Sequence, residues 1–524
     1  MKKDLGQFFT PKDVASFMIE LSSKDKNADI LEPCAGEGVF IEQLLKKGYK
    51  NITAIEYDTS LIQKNNFPIE NTSFVTKNFN KKFDLIIGNP PYIRWRNINT
   101  QLKKELNNNE LWQKFCNNLC DYLYIFILKS INLLKEDGEL IFITPEYWLH
   151  TTHSQSLRNY LIENGYFEHL IFFKETPIFD KVNSSIIIFK YIKNKNNEKQ
   201  KFINFIQFNS RKKLNSHNLE QIKNILLNNK KYNDSNITFK KIPQFKNNSK
   251  WLLADEMTIN NLKQFENKCF SNLKNKIIKL KDIADIGNGL VSGLDKAFKL
   301  TNIEILNEKE KQHILNVLKA KNLNQYYYTD VSYYIFLHNY KNELNEEILK
   351  KEFPNFYNQL ISYKQQLLKR YSYGRDIKFW EWAFLRNYNL FSKKTKKIFV
   401  PCKERISNKN YFRFCLAEEN FFPTQDVTGI VLKENIKENI YYILALLNSK
   451  LVFNWINYNG IVKGNIVEFS EKPLSSIPIR LIDWEKKEEI KIHDNIVSLS
   501  QEFIKTKNKK LLFNIDSLIY KLFS

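Results

Sequence analysis

Cysteine is scarce in this chain of 524 residues, and the six present (Cys34, Cys116, Cys120, Cys269, Cys402 and Cys415) never fall in C-x-x-C spacing. With only seven histidines beside them, neither a zinc site nor a disulfide framework is indicated, and reduced thiols are expected. No run approaches the 18 apolar residues of a membrane-spanning helix, and Met1 to Gln7 lacks the apolar core of a secretory signal. A cytoplasmic protein with no membrane contact is the expectation. Acidic residues are in deficit, 57 against 80 Lys and Arg, and the formal charge of +23 puts a polyanion first among partners. Abundant Lys, Asn, Ile, Phe and Tyr also fit an AT-rich genome, so charge alone raises that expectation only modestly. A 43% hydrophobic, 26% charged composition describes a folded chain, long enough for two or three domains with full cores.

The chain is organised around Asp84-Leu85-Ile86-Ile87-Gly88-Asn89-Pro90-Pro91-Tyr92. Phe83 to Ile87 is an apolar run suited to a buried parallel strand, and Gly88 with two prolines stops it abruptly. That stop delivers Asn89 and Tyr92 to the carboxyl edge of the sheet, where open α/β sheets bind ligands. Pro90 and Pro91 have no amide hydrogen, so the Pro90 carbonyl is left as an acceptor beside the Asn89 side chain. Two acceptors and an aromatic face suit a planar amine such as the adenine amino group.

Upstream residues build a nucleotide site. Thr10 as N-cap, Pro11 and Asp13 predict a helix from about residue 11, with Val14, Phe17, Met18 and Leu21 inward. Asp29-Ile30-Leu31 reads as a strand running into Glu32-Pro33-Cys34-Ala35-Gly36-Glu37-Gly38 and then a helix. This turn is neither the dinucleotide G-x-G-x-x-G nor a phosphate loop with Lys-Ser or Lys-Thr; its small residues admit a ligand to the backbone without demanding a phosphate. Glu56 ends the next strand, Ile52 to Ile55, where an acid is placed to hold ribose hydroxyls, and Asp58 is read as a helix cap. A third strand is expected at Ser73-Phe74-Val75-Thr76, leading to Asn78 and Phe79 at an adenine edge and face.

Taken in order and spacing, Gly6 to Pro11, Glu32 to Gly38, Glu56, Asn78-Phe79 and Asn89 to Tyr92 resemble the TaqI-type (gamma-class) DNA adenine-N6 methyltransferases, over about residues 5 to 192. The resemblance implies a seven-stranded Rossmann-like α/β domain using S-adenosyl-L-methionine. It implies that Thr10, Glu32, Cys34, Ala35, Gly36, Glu56, Asn78 and Phe79 line the cofactor site, and that Asn89, Pro90, Pro91 and Tyr92 form the catalytic turn. Tyr92 and Phe179 would stack on a target adenine flipped from the duplex. The family usually has Asp where Asn78 stands; Asn still accepts through its carbonyl, so weaker cofactor binding is expected rather than loss. Asp121, Tyr122 and Phe126 also resemble a segment near the cofactor, although helical aromatics more often pack.

A lysine-rich stretch, Phe245 to Lys250, marks the expected boundary between a catalytic domain, residues 1–250, and a mixed α+β target-recognition domain, residues 251–524. Ile286 to Phe298, Tyr441 to Leu451 and Pro473 to Pro478 loosely resemble segments of the TaqI-type recognition domain. Arg370 to Arg375 and Lys393 to Lys397 supply basic and aromatic residues suited to phosphate and groove contacts. The expectation is an adenine-specific DNA methyltransferase acting as a monomer on double-stranded DNA, without metal, beside a separate cognate restriction endonuclease. Competing readings are an RNA adenine-N6 methyltransferase, a combined restriction enzyme and methyltransferase, a protein glutamine methyltransferase, whose substrate would leave the basic carboxyl-terminal half superfluous, and a catalytically dead DNA-binding protein.

Overall fold

The computed structural model describes residues 8–63, 66–179, 185–194, 201–272, 274–338, 344–406 and 410–524. The chain divides into two compact units, Met1–Ile259 and Asn260–Ser524. In the first, the elements run α1 (Lys12–Glu20), β1 (Ile30–Glu32), α2 (Val39–Lys46), β2 (Ile52–Glu56), α3 (Thr59–Ile62), β3 (Glu70–Asn71), β4 (Phe83–Gly88), α4 (Thr100–Asn107), α5 (Glu110–Phe115) and α6 (Leu123–Leu133). They continue with β5 (Leu134–Pro145), α7 (Gln155–Asn164), β6 (Gly165–Phe172), β7 (Ile186–Lys193), β8 (Phe202–Phe208), α8 (Ser216–Asn228), β9 (Tyr232–Asn233) and β10 (Ile237–Pro243).

The strands form one sheet in the order β3-β2-β1-β4-β5-β7-β6-β8-β10-β9. From β3 to β5 all neighbours are parallel, and β7 runs antiparallel between β5 and β6. Side chains alternate across a strand. Ile30, Leu85 and Ile87 accordingly join Val14 and Phe17 of α1, Phe40 of α2 and Ile222 of α8 in one core, while Leu31 and Ile86 join Leu123, Ile127 and Ile131 of α6 in the other. Covered on both faces, β1 and β4 carry apolar residues at consecutive positions, Ile30-Leu31 and Leu85-Ile86-Ile87.

Two features depart from the sequence reading. The sheet has ten strands rather than seven, because Phe202-Ile203-Asn204-Phe205-Ile206-Gln207-Phe208 alternates as a strand does and adds β8 beside β6, with β10 and β9 following. The third strand is the exposed pair Glu70–Asn71, and Ser73 to Lys77 is instead a turn closed by Lys77 N donating to the Ser73 carbonyl (3.0 Å). Phe74 and Val75 are consecutive yet enter the same core cluster, which a turn permits and an extended strand does not. Lys129 clamps it by donating to the carbonyls of Val75 (2.9 Å) and Lys77 (2.6 Å), and burial pulls its ammonium pKa down to about 8.

The second unit is mixed α+β. Strands Ala284–Asn288, Val427–Leu432, Lys397–Pro401 and Cys415–Ala417 form an antiparallel sheet in that order, two three-stranded sheets lie elsewhere in it, and helices Lys487–Thr506 and Lys510–Phe523 pack together near its end. Gly289, in the glycine-rich segment, is there for packing: a Cβ on it would lie 2.3 Å from the Thr424 carbonyl. No described helix is long and apolar enough to cross a membrane.

Candidate cofactor and target site

After β1 the chain turns away to β2 and β3 and returns to β4 on the other flank, so β1 and β4 adjoin at a topological switch point. Such a point leaves a crevice outside the carboxyl ends of the two strands. A cavity of about 440 Å³ lies there, walled by residues that follow β1, β2 and β4 and by the segment before α1. That volume falls in the usual range for a cofactor site.

The turn after β1 is shaped by two left-handed glycines, Gly36 (φ 55°) and Gly38 (φ 74°). Glu56 holds it from the tip of β2: one carboxylate oxygen accepts from Gly36 N (2.7 Å) and the other from Asp58 N (2.8 Å). Each oxygen keeps a further lone pair, and burial raises the Glu56 pKa. Asp58 caps α3 by accepting from Ser60 N (3.0 Å). Glu32 is fully buried in the cavity wall, and neither carboxyl oxygen has a partner among the described residues. Burial first, and then the Glu56 charge, push its pKa well above the carboxylate range. An orphaned buried acid is costly. A cofactor with a cationic ammonium and ribose hydroxyls supplies what Glu32 and Glu56 lack.

Asn89 stands at the end of β4. Its amide nitrogen donates to the Phe8 carbonyl (2.6 Å) and the Thr10 hydroxyl oxygen (3.1 Å), and its backbone carbonyl accepts from the Cys34 thiol (3.2 Å). Burial, and then the charges of Glu32 and Glu56, push the pKa of that thiol well above its ordinary value. The Tyr92 hydroxyl reaches both Asn89 Oδ1 and the Ile143 carbonyl (2.8 Å). It has one hydrogen, and Asn89 Oδ1, with two lone pairs, can accept it and still accept from an incoming amine. The Phe8 ring stacks on Tyr92 (centroids 5.5 Å, 21°) and lies 6.0 Å from Phe179.

Thr10, Glu32, Cys34, Ala35, Gly36, Glu56, Asn89 and Pro91 thus come together around one cavity. Pro90 is buried in the same turn, and among the described residues no hydrogen bond ends on its carbonyl. Tyr92 and Phe179 both lie against the Phe8 ring, Phe179 only 5% exposed within the core. Asn78 and Phe79 are not in the cavity wall: the 73–77 turn carries the chain past it, leaving Asn78 outside and Phe79 packed on Phe83 (5.6 Å). Ser73 and Phe74 line the cavity instead, with Tyr122 and Phe126 from the start of α6. Thr10 does not cap α1, whose N-cap is Pro11, and Asp13 accepts from Val14 N (3.1 Å). Gly6, Gln7 and Asp180 to Ser184 lie outside the described residues. Among the described residues, no group of three or more His, Cys, Asp or Glu is placed to hold a metal ion.

Comparison with known proteins bears on this geometry. The family model of the Eco57I restriction-modification methylase matches residues 19–179. The chain is 46% identical to the type II methyltransferase M.HindII of Haemophilus influenzae over 532 residues, covering 99% of this chain and 98% of the relative. It is 45% identical to M.HincII, also of Haemophilus influenzae, over 521 residues and the same shares. The solved structure of the type IIL restriction-modification enzyme MmeI in complex with DNA has the same fold, with a TM-score of 0.58 over 98% of this chain and 71% of that one at 12% identity. With 45% to 46% identity to the two methyltransferases along almost the whole length, the chain belongs to the type II restriction-modification DNA methyltransferases, which use S-adenosyl-L-methionine.

Proposed function

We propose that this methyltransferase is of the TaqI-type gamma class and methylates N6 of an adenine flipped out of duplex DNA, within one short sequence context. The observation that carries the reading is the Asn89–Tyr92 turn at the carboxyl end of β4, beside the cavity whose walls hold Glu32 and Glu56. When bound, S-adenosyl-L-methionine supplies an electrophilic sulfonium methyl. Glu32 would pair with its ammonium and Glu56 would hold its ribose hydroxyls, the Thr10, Cys34, Ala35 and Gly36 segments would wall it, and Phe74, Tyr122 and Phe126 would take its adenine in place of Asn78 and Phe79.

The exocyclic nitrogen of adenine is a poor nucleophile because its lone pair is delocalised into the ring. Asn89 Oδ1 and the Pro90 carbonyl accept its two hydrogens and draw it toward tetrahedral geometry, with the lone pair turned to the methyl. Methyl transfer would form the new N–C bond as the cofactor's C–S bond breaks, its electron pair staying on sulfur as a neutral thioether, and the amine proton would pass to solvent. Extruding the base costs a few kcal/mol. Stacking on Tyr92, about 1–3 kcal/mol per aromatic contact, offsets it.

In this reading residues 251–524 recognise the target sequence, the protein acts as a cytoplasmic monomer, and its methylation protects DNA from a separate cognate endonuclease. The test is transfer of labelled methyl to duplex DNA followed by nucleoside analysis. Label in N6-methyladenine within one short context is expected; label in cytosine, in RNA or in protein would overturn the reading.

A further inference from the structure

The end of an amide that faces a carbonyl is fixed by chemistry. A carbonyl oxygen accepts and never donates, so the Asn89 atom lying 2.6 Å from the Phe8 carbonyl must be the amide nitrogen. Its second hydrogen goes to the Thr10 hydroxyl oxygen at 3.1 Å. Both donors are thereby consumed on one side, and Oδ1 is turned to the opposite side, toward the Tyr92 phenol. Rotating the amide by half a turn would set two oxygens against each other at Phe8. The Phe8 carbonyl therefore excludes the reversed amide, while Thr10 fixes its tilt.

Thr10 is free for this task because α1 does not use it. The residue has N-cap chemistry, yet the helix begins after Pro11 with no side-chain cap, and the Thr10 side chain, 8% exposed, is spent on Asn89 across a sequence separation of 79 residues. We infer that Thr10 is a positioning residue of the methyl-transfer reaction, which holds the Asn89 side-chain oxygen aimed at the amine to be methylated. Its place in the cavity wall also sets it beside the cofactor, and the two roles differ in what their loss does. The inference rests on the reading of Asn89 as an acceptor for the target amine.

The experiment compares Thr10→Val, which keeps the shape and removes the acceptor, with Thr10→Ser, Asn89→Ala and the Thr10→Val/Asn89→Ala double variant in the full-length protein. Single-turnover methylation of a target duplex and S-adenosylmethionine binding are measured for each; retained binding reports that the fold is intact. Thr10→Val is expected to slow methyl transfer by roughly three- to tenfold, the scale of one neutral hydrogen bond, with cofactor affinity within about twofold of wild type. Thr10→Ser should restore the rate, and the double variant should be no slower than Asn89→Ala, because Thr10 acts only through Asn89. If Asn89→Ala is slow while Thr10→Val is not, or if the two losses multiply in the double variant, the positioning role is overturned and the reading of Asn89 stands. Loss of cofactor affinity in Thr10→Val that accounts for its slower turnover assigns Thr10 to the cofactor alone. Near-normal transfer by Asn89→Ala removes both the reading and the inference.

Discussion

At the carboxyl edge of the first unit's sheet, Glu32 carries two carboxyl oxygens without a partner among the described residues, and Asn89 has both amide hydrogens engaged on one side. In the Lys393–Lys397 run of the second unit the cations are largely used by the protein itself. Lys393 pairs with Asp285 (3.4 Å), Lys396 with Glu418 (3.3 Å), and Lys397 is fully buried with its ammonium on three carbonyls. Arg370 is likewise turned inward, donating to the carbonyls of Lys378, Phe379 and Glu381. A binding site keeps polar groups short of partners and holds them still, whereas a stretch that only looks like a binding surface has already satisfied them. The partner list of a polar group therefore says more about function than its residue type.

The strongest test of that contrast is Asn89→Ala. It removes an oriented acceptor that the fold holds toward the target amine, and loss of one such preorganised hydrogen bond is expected to slow methyl transfer by about 100-fold or more, with little change in cofactor affinity. Single-turnover rates at saturating cofactor measure it. A loss of less than about tenfold, the scale of one ordinary hydrogen bond, would mean that the carboxyl edge merely ends a strand.

Glu32→Gln separates stability from binding. The Glu32 pKa is raised in the folded protein, so between its unfolded value near 4.5 and that raised value the folded state holds more protons and stability falls as pH rises. Gln carries no such charge, and the cofactor-free variant should melt higher than wild type by a margin that grows with pH across that window. S-adenosylmethionine should bind about tenfold more weakly, as when a charge-assisted hydrogen bond is lost. Melting curves across pH and calorimetric titration give both signs; a variant that is less stable at neutral pH with unchanged affinity would make Glu32 an ordinary core group.

Much of this site was legible in the sequence because its chemistry is local to strand ends. Glu32, Gly36, Glu56 and Asn89 each lie at or just beyond the end of an apolar strand, so the pattern that places the strand also places the residue. Where the reading failed, a local pattern had two solutions. Ser73 to Thr76 suits a strand or a turn equally, and only the packing of Phe74 and Val75 in one cluster, with Lys129 on the turn carbonyls, decides it and moves Asn78 out of the wall. Thr10 looks like a cap because nothing nearby in sequence announces Asn89. The wall made by Tyr122 and Phe126 was visible as a resemblance but could not be told from packing, since both residues are buried and do both. In the second unit, lysine positions were plain and their partners were not, because ion pairs such as Lys393–Asp285 span distant segments.

Phe8 gives a smaller effect. Its ring stacks on Tyr92, where the proposed target base would stack, so entry of the base must displace it. Such an aromatic pair contributes about 0.5–1.5 kcal/mol. Phe8→Ala should therefore bind target duplex about two- to tenfold more tightly, the same energy expressed as affinity, and 2-aminopurine at the target position should report more flipping. Weaker duplex binding with unchanged cofactor affinity would show that the ring supports the base instead of competing with it.

The smallest effects lie within the lysine run, where neighbours should behave as different residues. Burial lowers the Lys397 pKa to about 8 from an ordinary 10.5, so the unfolded chain holds more protons between those values and wild-type stability rises with pH across them. Lys397→Met should lose that rise, and should be destabilised because three carbonyls lose their donor, while the salt dependence of DNA binding is unchanged. Lys394 is exposed and makes no ion pair among the described residues. If it neutralises one phosphate, Lys394→Ala should lower the slope of log affinity against log salt by about 0.9 and leave stability unaltered. Affinity measured from about 50 to 200 mM salt distinguishes the two. A slope change in Lys397→Met but not in Lys394→Ala would reverse the contrast between satisfied and available cations, because the buried lysine would then be reaching DNA.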